Sequence, residues 1–213
     1  MYQNILLDLD GTLTEPGLGI TNSVAYALEK WNIKVADRTS LYKFIGPPLM
    51  ESFMTFYGFT EEKAAKSVEY YREYFSVKGL YENELYPDTV KLLELLKKSN
   101  KKIVLATSKP EVYATEILKH FDLYKYFDYV AGATMDETRN KKGDVIKYAL
   151  ESANITDLKS TVMIGDRKHD VLGAIEAGID SIGVLYGYGN REELSYAGAT
   201  YIVTDVDELL KIV

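Results

Sequence analysis

The chain reads as an α/β protein, a doubly wound parallel sheet interrupted once by a separate helical bundle. Three observations predict this. Six short apolar runs, Ile5–Leu9, Ile103–Thr107, Phe127–Ala131, Thr161–Ile164, Ser181–Leu185 and Tyr201–Val203, are continuous rather than alternating, as parallel strands covered on both faces should be. Helical patterns lie between most of them, which is the order of right-handed strand–helix–strand crossovers. One stretch of about seventy residues, from Gly17 to Tyr86, shows helical patterns and no convincing strand.

The first run, "ILLDL", ends in Asp8-Leu9-Asp10-Gly11-Thr12. The interruption follows it, with helical stretches in "GITNSVAYALEKWN", "LMESFMTFYGF" and "TEEKAAKSVEYYREYFSVKG" and links near Leu13–Pro16 and Tyr81–Pro87. Alternation then resumes. "PDTVKLLELLKKSN" places Val90, Leu92, Leu93, Leu95 and Leu96 at helical spacing, and "PEVYATEILKHF" opens on Pro110, suited to a first helical position. "KKGDVIKYALESAN" and "HDVLGAIEAGI" follow the same logic, the second ending at Gly178, a C-cap candidate. Most of the eighteen tyrosines fall at helical spacing with other apolar residues, so we read them as packing groups rather than a binding array.

Composition narrows the function. Without cysteine the chain has no disulfide, thiolate metal site or thiol catalyst, which fits a reducing compartment. A formal net charge of −7 argues against binding nucleic acid through a broad basic face. No basic leader precedes an apolar segment, and no stretch reaches the ~18 apolar residues of a spanning helix. We therefore expect a cytoplasmic protein with no membrane partner, a monomer or homodimer.

In open α/β sheets ligands bind beyond the carboxyl ends of the strands, so the polar residues there carry the chemistry. The first strand ends in Asp8 and Asp10; the second in Ala106-Thr107-Ser108-Lys109; the fourth in Gly165-Asp166-Arg167-Lys168-His169-Asp170. A lysine pair, Lys141 and Lys142, opens the helix before the fourth strand. Carboxylates brought this close repel and raise one another's pKa. A hard divalent cation removes the difficulty, and Mg²⁺ is typically held by one or two carboxylates together with waters and a phosphate oxygen. Asp8 and Asp166 are its expected ligands, with Asp10 lending a backbone carbonyl and keeping its side chain free. A carboxylate can attack phosphorus to form an aspartyl-phosphate, and a second can move the protons. Thr107 and a lysine would neutralise the phosphoryl oxygens, and Gly11 would let the backbone approach them. Ser108 is a further candidate there, and Lys109 is either a neighbour of the phosphate or an ordinary loop residue. Glu15 is expected to be solvated, and Arg167 either faces the site or does not.

Asp8-Leu9-Asp10-Gly11-Thr12, Thr107, Lys142 and Gly165-Asp166 through Asp170 resemble the four motifs of the haloacid dehalogenase superfamily. "ATSKP" at 106–110, "IGPPL" at 45–49 and "GVLYGYG" at 183–189 are similar to its phosphoglycolate phosphatase-like branch. The resemblance implies a Rossmann-like core over 1–15 and 83–213 and an α-helical type-1 cap over 16–82. It implies a Mg²⁺-dependent phosphatase acting on a small phosphorylated metabolite. Asp8 would be nucleophile and metal ligand, Asp10 the general acid/base and a backbone ligand, and Asp166 the residue completing the metal site. Asp170 would support those ligands, or join them. Gly11, Thr107, Ser108 and Lys142 would bind phosphate; the family often has prolines after its lysine, whereas this chain reads "RNKKGDVI", so Lys141 is the alternative. Substrate choice would fall to cap residues near Lys43–Leu49, with Tyr26 or Phe53. The alternatives are a phosphoryl transferase such as a sugar-phosphate mutase, or 5′-nucleotidase or pyrophosphatase specificity. Dehalogenation is disfavoured because it does not need Asp10, and a non-catalytic binding role because both aspartates are present.

Overall fold

Strand β1 (Asn4–Leu7), with Ile5, Leu6 and Leu7 fully buried, is the axis of a six-stranded parallel sheet in the computed structural model, which describes residues 2–136 and 138–213. On one side of β1 lie β4 (Lys102–Pro110) and β5 (Tyr129–Ala133); on the other lie β6 (Thr161–Gly165), β7 (Asp180–Val184) and β8 (Tyr201–Val203). The order β5–β4–β1–β6–β7–β8 runs outward in both directions from β1, so the fold has a switch point beside its first strand, where α/β proteins open a crevice. All six runs read from the sequence are strands.

The connections are helical, α4 (Thr89–Lys98), α5 (Glu111–His120), α6 (Lys142–Ser152), α7 (Lys168–Ala177) and α8 (Arg191–Ala197), and α9 (Val206–Leu209) follows the last strand. Helix α6 spaces Val145, Ile146 and Ala149 on one face, and these pack with Ala174 of α7 on Leu6, Val104, Ala106, Ala131 and Met163 of the sheet. Gly178 ends α7 in the left-handed conformation at φ 72°, as a C-cap glycine does. Pro110 stands one position before α5, as the last residue of β4, rather than at the first helical position. Helices α8 and α9 are short and begin on Asn190 and Asp205, whose side chains accept from the Glu193 and Glu208 amides at 2.9 and 2.8 Å.

The chain divides into two compact units, Met1–Glu15 with Leu85–Val213, and Pro16–Glu84. The second contains α1 (Gly17–Glu29), a 3₁₀ turn at Arg38–Phe44, α2 (Leu49–Tyr57), and α3 (Glu61–Tyr74), which runs into a π turn at Phe75–Gly79. Aromatic rings fill its interior: Phe44 lies 5.1 Å from Phe53, Phe53 stacks on Phe59 at 6.0 Å, and Tyr71 stacks on Phe75 at 5.3 Å. Phe53 is fully buried, so it is a core residue of the helical unit and not a group facing a substrate. The stretch expected to lack strands holds one: β3 (Glu84–Leu85) pairs with β2 (Thr14–Glu15) in a two-stranded sheet. Two residues are too few to show any periodicity. Among the described residues no helix is long and apolar enough to cross a membrane.

Leu6 is fully buried in the packing between sheet and helices. Leu6→Ala is expected to lower the unfolding free energy by about 3 kcal/mol, read as a fall in the urea midpoint with an unchanged far-UV spectrum.

Candidate active site

Register brings the strand ends together. Leu7 of β1 lies opposite Leu105 of β4 and Ile164 of β6, so Asp8 emerges between the two neighbouring strands, its N–H donating to the Ile164 carbonyl at 2.9 Å. Asp166 follows β6 directly and Asp170 lies in the first turn of α7. All three are buried, and each offers a carboxylate oxygen within 4.8 Å of the others. Lys142, the first residue of α6, reaches into this group. Its ammonium is 2.8 Å from Asp8 Oδ1 and 2.8 Å from Asp170 Oδ1, and it donates to the Ala106 carbonyl at 3.1 Å. Lys141, one residue earlier, is exposed. Of the lysine pair, Lys142 is the one in the cluster.

The loop after β1 is shaped by contact with Asp166. Gly11 adopts φ 82°, and a Cβ there would lie 2.2 Å from Asp166 Oδ2, so both the conformation and the space exclude a side chain. At Gly187 space alone excludes a side chain, a Cβ coming within 2.3 Å of the Gly11 carbonyl oxygen. Next to it the Tyr188 N–H donates to Asp166 Oδ2 at 2.7 Å, and the Tyr188 hydroxyl donates to Glu15. Glu15 is therefore tied into the loop rather than simply solvated. The 183–189 segment, singled out in the sequence only as a pattern, is a wall around Asp166. The first turn of α7 is organised by Asp170, whose second oxygen accepts from the Arg167 N–H at 3.0 Å. The Arg167 side chain turns to Glu193, 2.9 Å away.

Strand β4 supplies the opposite wall through an irregularity. Its pairing with β5 jumps from Ala106–Ala131 to Pro110–Ala133, so Thr107, Ser108 and Lys109 leave the ladder, a bulge of the kind that re-aims side chains at sites. Thr107 is buried and its hydroxyl accepts from the Lys109 N–H at 3.2 Å; Ser108 is half-buried. Lys109 is buried, and its ammonium pairs with the Asp10 carboxylate. The Asp10 side chain is thus paired with Lys109 and lies outside the three-carboxylate group. The residue that sequence reasoning undervalued is Lys109, because nothing in "TSKP" indicates that a bulge turns it inward.

Electrostatics fit a cation at the cluster. Asp8, Asp166 and Asp170 face one ammonium, that of Lys142, which leaves a surplus of negative charge out of water. Burial pushes Asp166 well above the usual carboxylate range, and the charges of Asp170 and Asp8 push it further. Burial also pushes Asp170 up to about 6, against the pull of Lys142. Asp10 is raised by burial, with Lys109 opposing. Lys142 loses hydration by burial, but Asp170 and Asp8 outweigh that and hold it above the usual lysine range. Asp166 Oδ1 is buried with no hydrogen-bond partner, an arrangement costly on its own and suited to a metal. An all-oxygen, carboxylate-rich donor set favours a hard cation.

The family model for haloacid dehalogenase-like hydrolases matches residues 5–184. The chain belongs to this family. Within it, the chain is 44% identical over 211 residues to a 5′-nucleotidase of Pseudomonas aeruginosa, covering 99% of this chain and 95% of the relative. It is 35% identical to tyrosine-protein kinase PtkA of Mycobacterium tuberculosis, over 97% of this chain and 71% of that protein. The crystal structure of a "predicted phosphatase" from Clostridium acetobutylicum superposes with a TM-score of 0.97 at 50% identity, covering 100% of this chain and 98% of the other. Family, relatives and fold together make the protein a phosphatase-type hydrolase.

The buried charge surplus has a consequence for stability. Because burial raises the folded-state pKa values of Asp166 and Asp170, protonating them favours the folded state; that gain is complete below the unfolded value, near 4, and for Asp170 is lost as pH rises through about 6. Asp166→Asn keeps the acceptor for Tyr188 and removes one charge. In chelator it is expected to be more stable than the parent by about 2 kcal/mol at pH 8, with the gap closing at pH 5, as read from urea unfolding at both pH values.

Proposed function

We propose that the protein is a Mg²⁺-dependent phosphomonoester hydrolase that works through an aspartyl-phosphate on Asp8. The observation that carries the reading is the convergence of three buried carboxylates and Lys142 at the ends of β1 and β6. Asp8, Asp166 and the Asp10 carbonyl would hold the ion, with Asp170 beside them. When bound, Mg²⁺ supplies positive charge against the phosphoryl oxygens and relieves the carboxylate repulsion.

The chain's own groups divide the remaining work. An Asp8 carboxylate oxygen attacks phosphorus; the Asp8 O–P bond forms as the bond to the leaving oxygen breaks, and Asp10 gives that oxygen its proton. Asp10 then takes a proton from water as water attacks phosphorus. The Asp8 O–P bond breaks, inorganic phosphate leaves, and both aspartates are restored. Lys142, Thr107, Ser108 and the backbone at Gly11 bind the phosphoryl oxygens, where charge sits in the transition state. Residues 16–82 are the proposed cap and the source of substrate choice; their support is a separate compact unit inserted between β1 and β4. A nucleoside 5′-monophosphate is the first substrate to test, supported by the identity to a protein named 5′-nucleotidase. Transfer of the phosphoryl group to an acceptor other than water is the second reading, supported by the relative named a kinase.

In a malachite-green assay over nucleoside monophosphates, sugar phosphates, phosphoglycolate, pyrophosphate and phosphotyrosine, we expect release of phosphate that needs Mg²⁺ and stops with EDTA. Asp8→Asn should lower kcat by about a thousandfold or more; retained turnover would exclude the assignment. Conversion of a hexose 1-phosphate to its isomer without phosphate release would favour the transferase. Independently of turnover, Mg²⁺ is expected to raise the Tm of the parent and to leave that of Asp166→Asn nearly unchanged.

A further inference from the structure

We infer that Lys109 is a positioning residue: it holds one oxygen of Asp10 so that the other stays available for proton exchange with the leaving group. The inference rests on the proposed role of Asp10 as acid and base.

Three observations carry it. First, the pair is enclosed, with side-chain exposures of 5% for Lys109 and 12% for Asp10. Second, its geometry is asymmetric. Lys109 takes Oδ2, while Oδ1 is buried with no hydrogen-bond partner. A group that must give and take a proton needs one oxygen that no standing partner holds. Third, the lysine is delivered by a local device: the β4 bulge releases residues 107–109 from the ladder, and the Thr107 hydroxyl receives the Lys109 N–H at 3.2 Å.

The two lysines also divide the aspartates. Lys142 touches Asp8 and Asp170, whereas Lys109 touches Asp10. Without Lys109, neither oxygen of Asp10 is held, and the carboxylate loses the contact that orients it separately from its three neighbours. A buried ion pair is weak support for a purely stabilising purpose, because apolar replacements of such pairs are often as stable or more so. Its value here lies in orientation.

The test measures kcat/KM with Mg²⁺ for p-nitrophenyl, phenyl and p-methoxyphenyl phosphate, which differ in how much the leaving oxygen needs a proton. This ratio covers the steps up to departure of the leaving group. We expect Lys109→Met to lose about tenfold more on p-methoxyphenyl than on p-nitrophenyl phosphate, within the range of general acid catalysis. Lys109→Arg should recover most of the loss. Asp10→Asn should show the same steepened dependence, and Asp10→Asn combined with Lys109→Met should be no steeper than Asp10→Asn alone. A uniform loss across the series in Lys109→Met, with Asp10→Asn still steep, overturns the inference and leaves the proposed function standing. A uniform loss in Asp10→Asn removes Asp10 as the acid and the inference with it. If Lys109→Met does not fold, Lys109→Gln replaces it; unfolding of both would show a structural lysine and overturn the inference.

Discussion

Three carboxylates share one buried site with a single ammonium, and the structure around them exists to keep that arrangement in place. Isolated, a carboxylate out of water is among the least favourable groups a fold can contain. Here Asp8, Asp166 and Asp170 are each at most 6% exposed. Each has a definite partner that fixes its direction: Lys142 for Asp8, the Tyr188 N–H for Asp166, and the Arg167 N–H with Lys142 for Asp170. These contacts orient the charges without cancelling them. The remaining negative potential is a stability cost that the protein retains, which is the usual mark of a functional site.

The topology is what makes this possible with short side chains. Because β1 lies between β4 and β6, the residues following three sheet-central segments arrive side by side, although Thr107 and Asp166 stand 99 and 158 positions after Asp8 in the chain. Burial of β1 on both faces then removes slack from the strand that carries Asp8. The loops have no room to spare. A methyl group at Gly11 or Gly187 would enter the space of Asp166 or of the opposing backbone. Lys142 stands at the first residue of α6, where the helix dipole opposes a cation. Asp8 and Asp170 supply the compensation.

The six strands and the longer core helices are legible in the chain because each buries a continuous or periodic apolar pattern. Asp8, Asp10, Asp166 and Asp170 are legible because a carboxylate at the end of an apolar run is costly to bury unless it binds something. Whether Lys141 or Lys142 reaches the site depends on helical phase, and a shift of one residue moves a side chain by about 100° around the axis. Lys109 depends on a bulge that no composition or spacing announces. β3 has two residues and leaves no pattern, and Glu15 looked solvated because its partner Tyr188 lies 173 positions away. Backbone irregularity and distant contacts decide the positions that the chain conceals; burial decides those that it displays.

All the residues assigned to the chemistry come from Met1–Glu15 and Leu85–Val213, and none from Pro16–Glu84. The two units answer to different constraints. In the α/β unit, strand order and buried charge restrict almost every position near the site. In the helical unit, the visible demand is the packing of Phe44, Phe53 and Phe59 around one interior, which many surface sequences can satisfy. Proteins named for different activities, a 5′-nucleotidase and a tyrosine-protein kinase, share 44% and 35% of the aligned sequence with this chain, so likeness over the whole chain does not by itself fix the substrate.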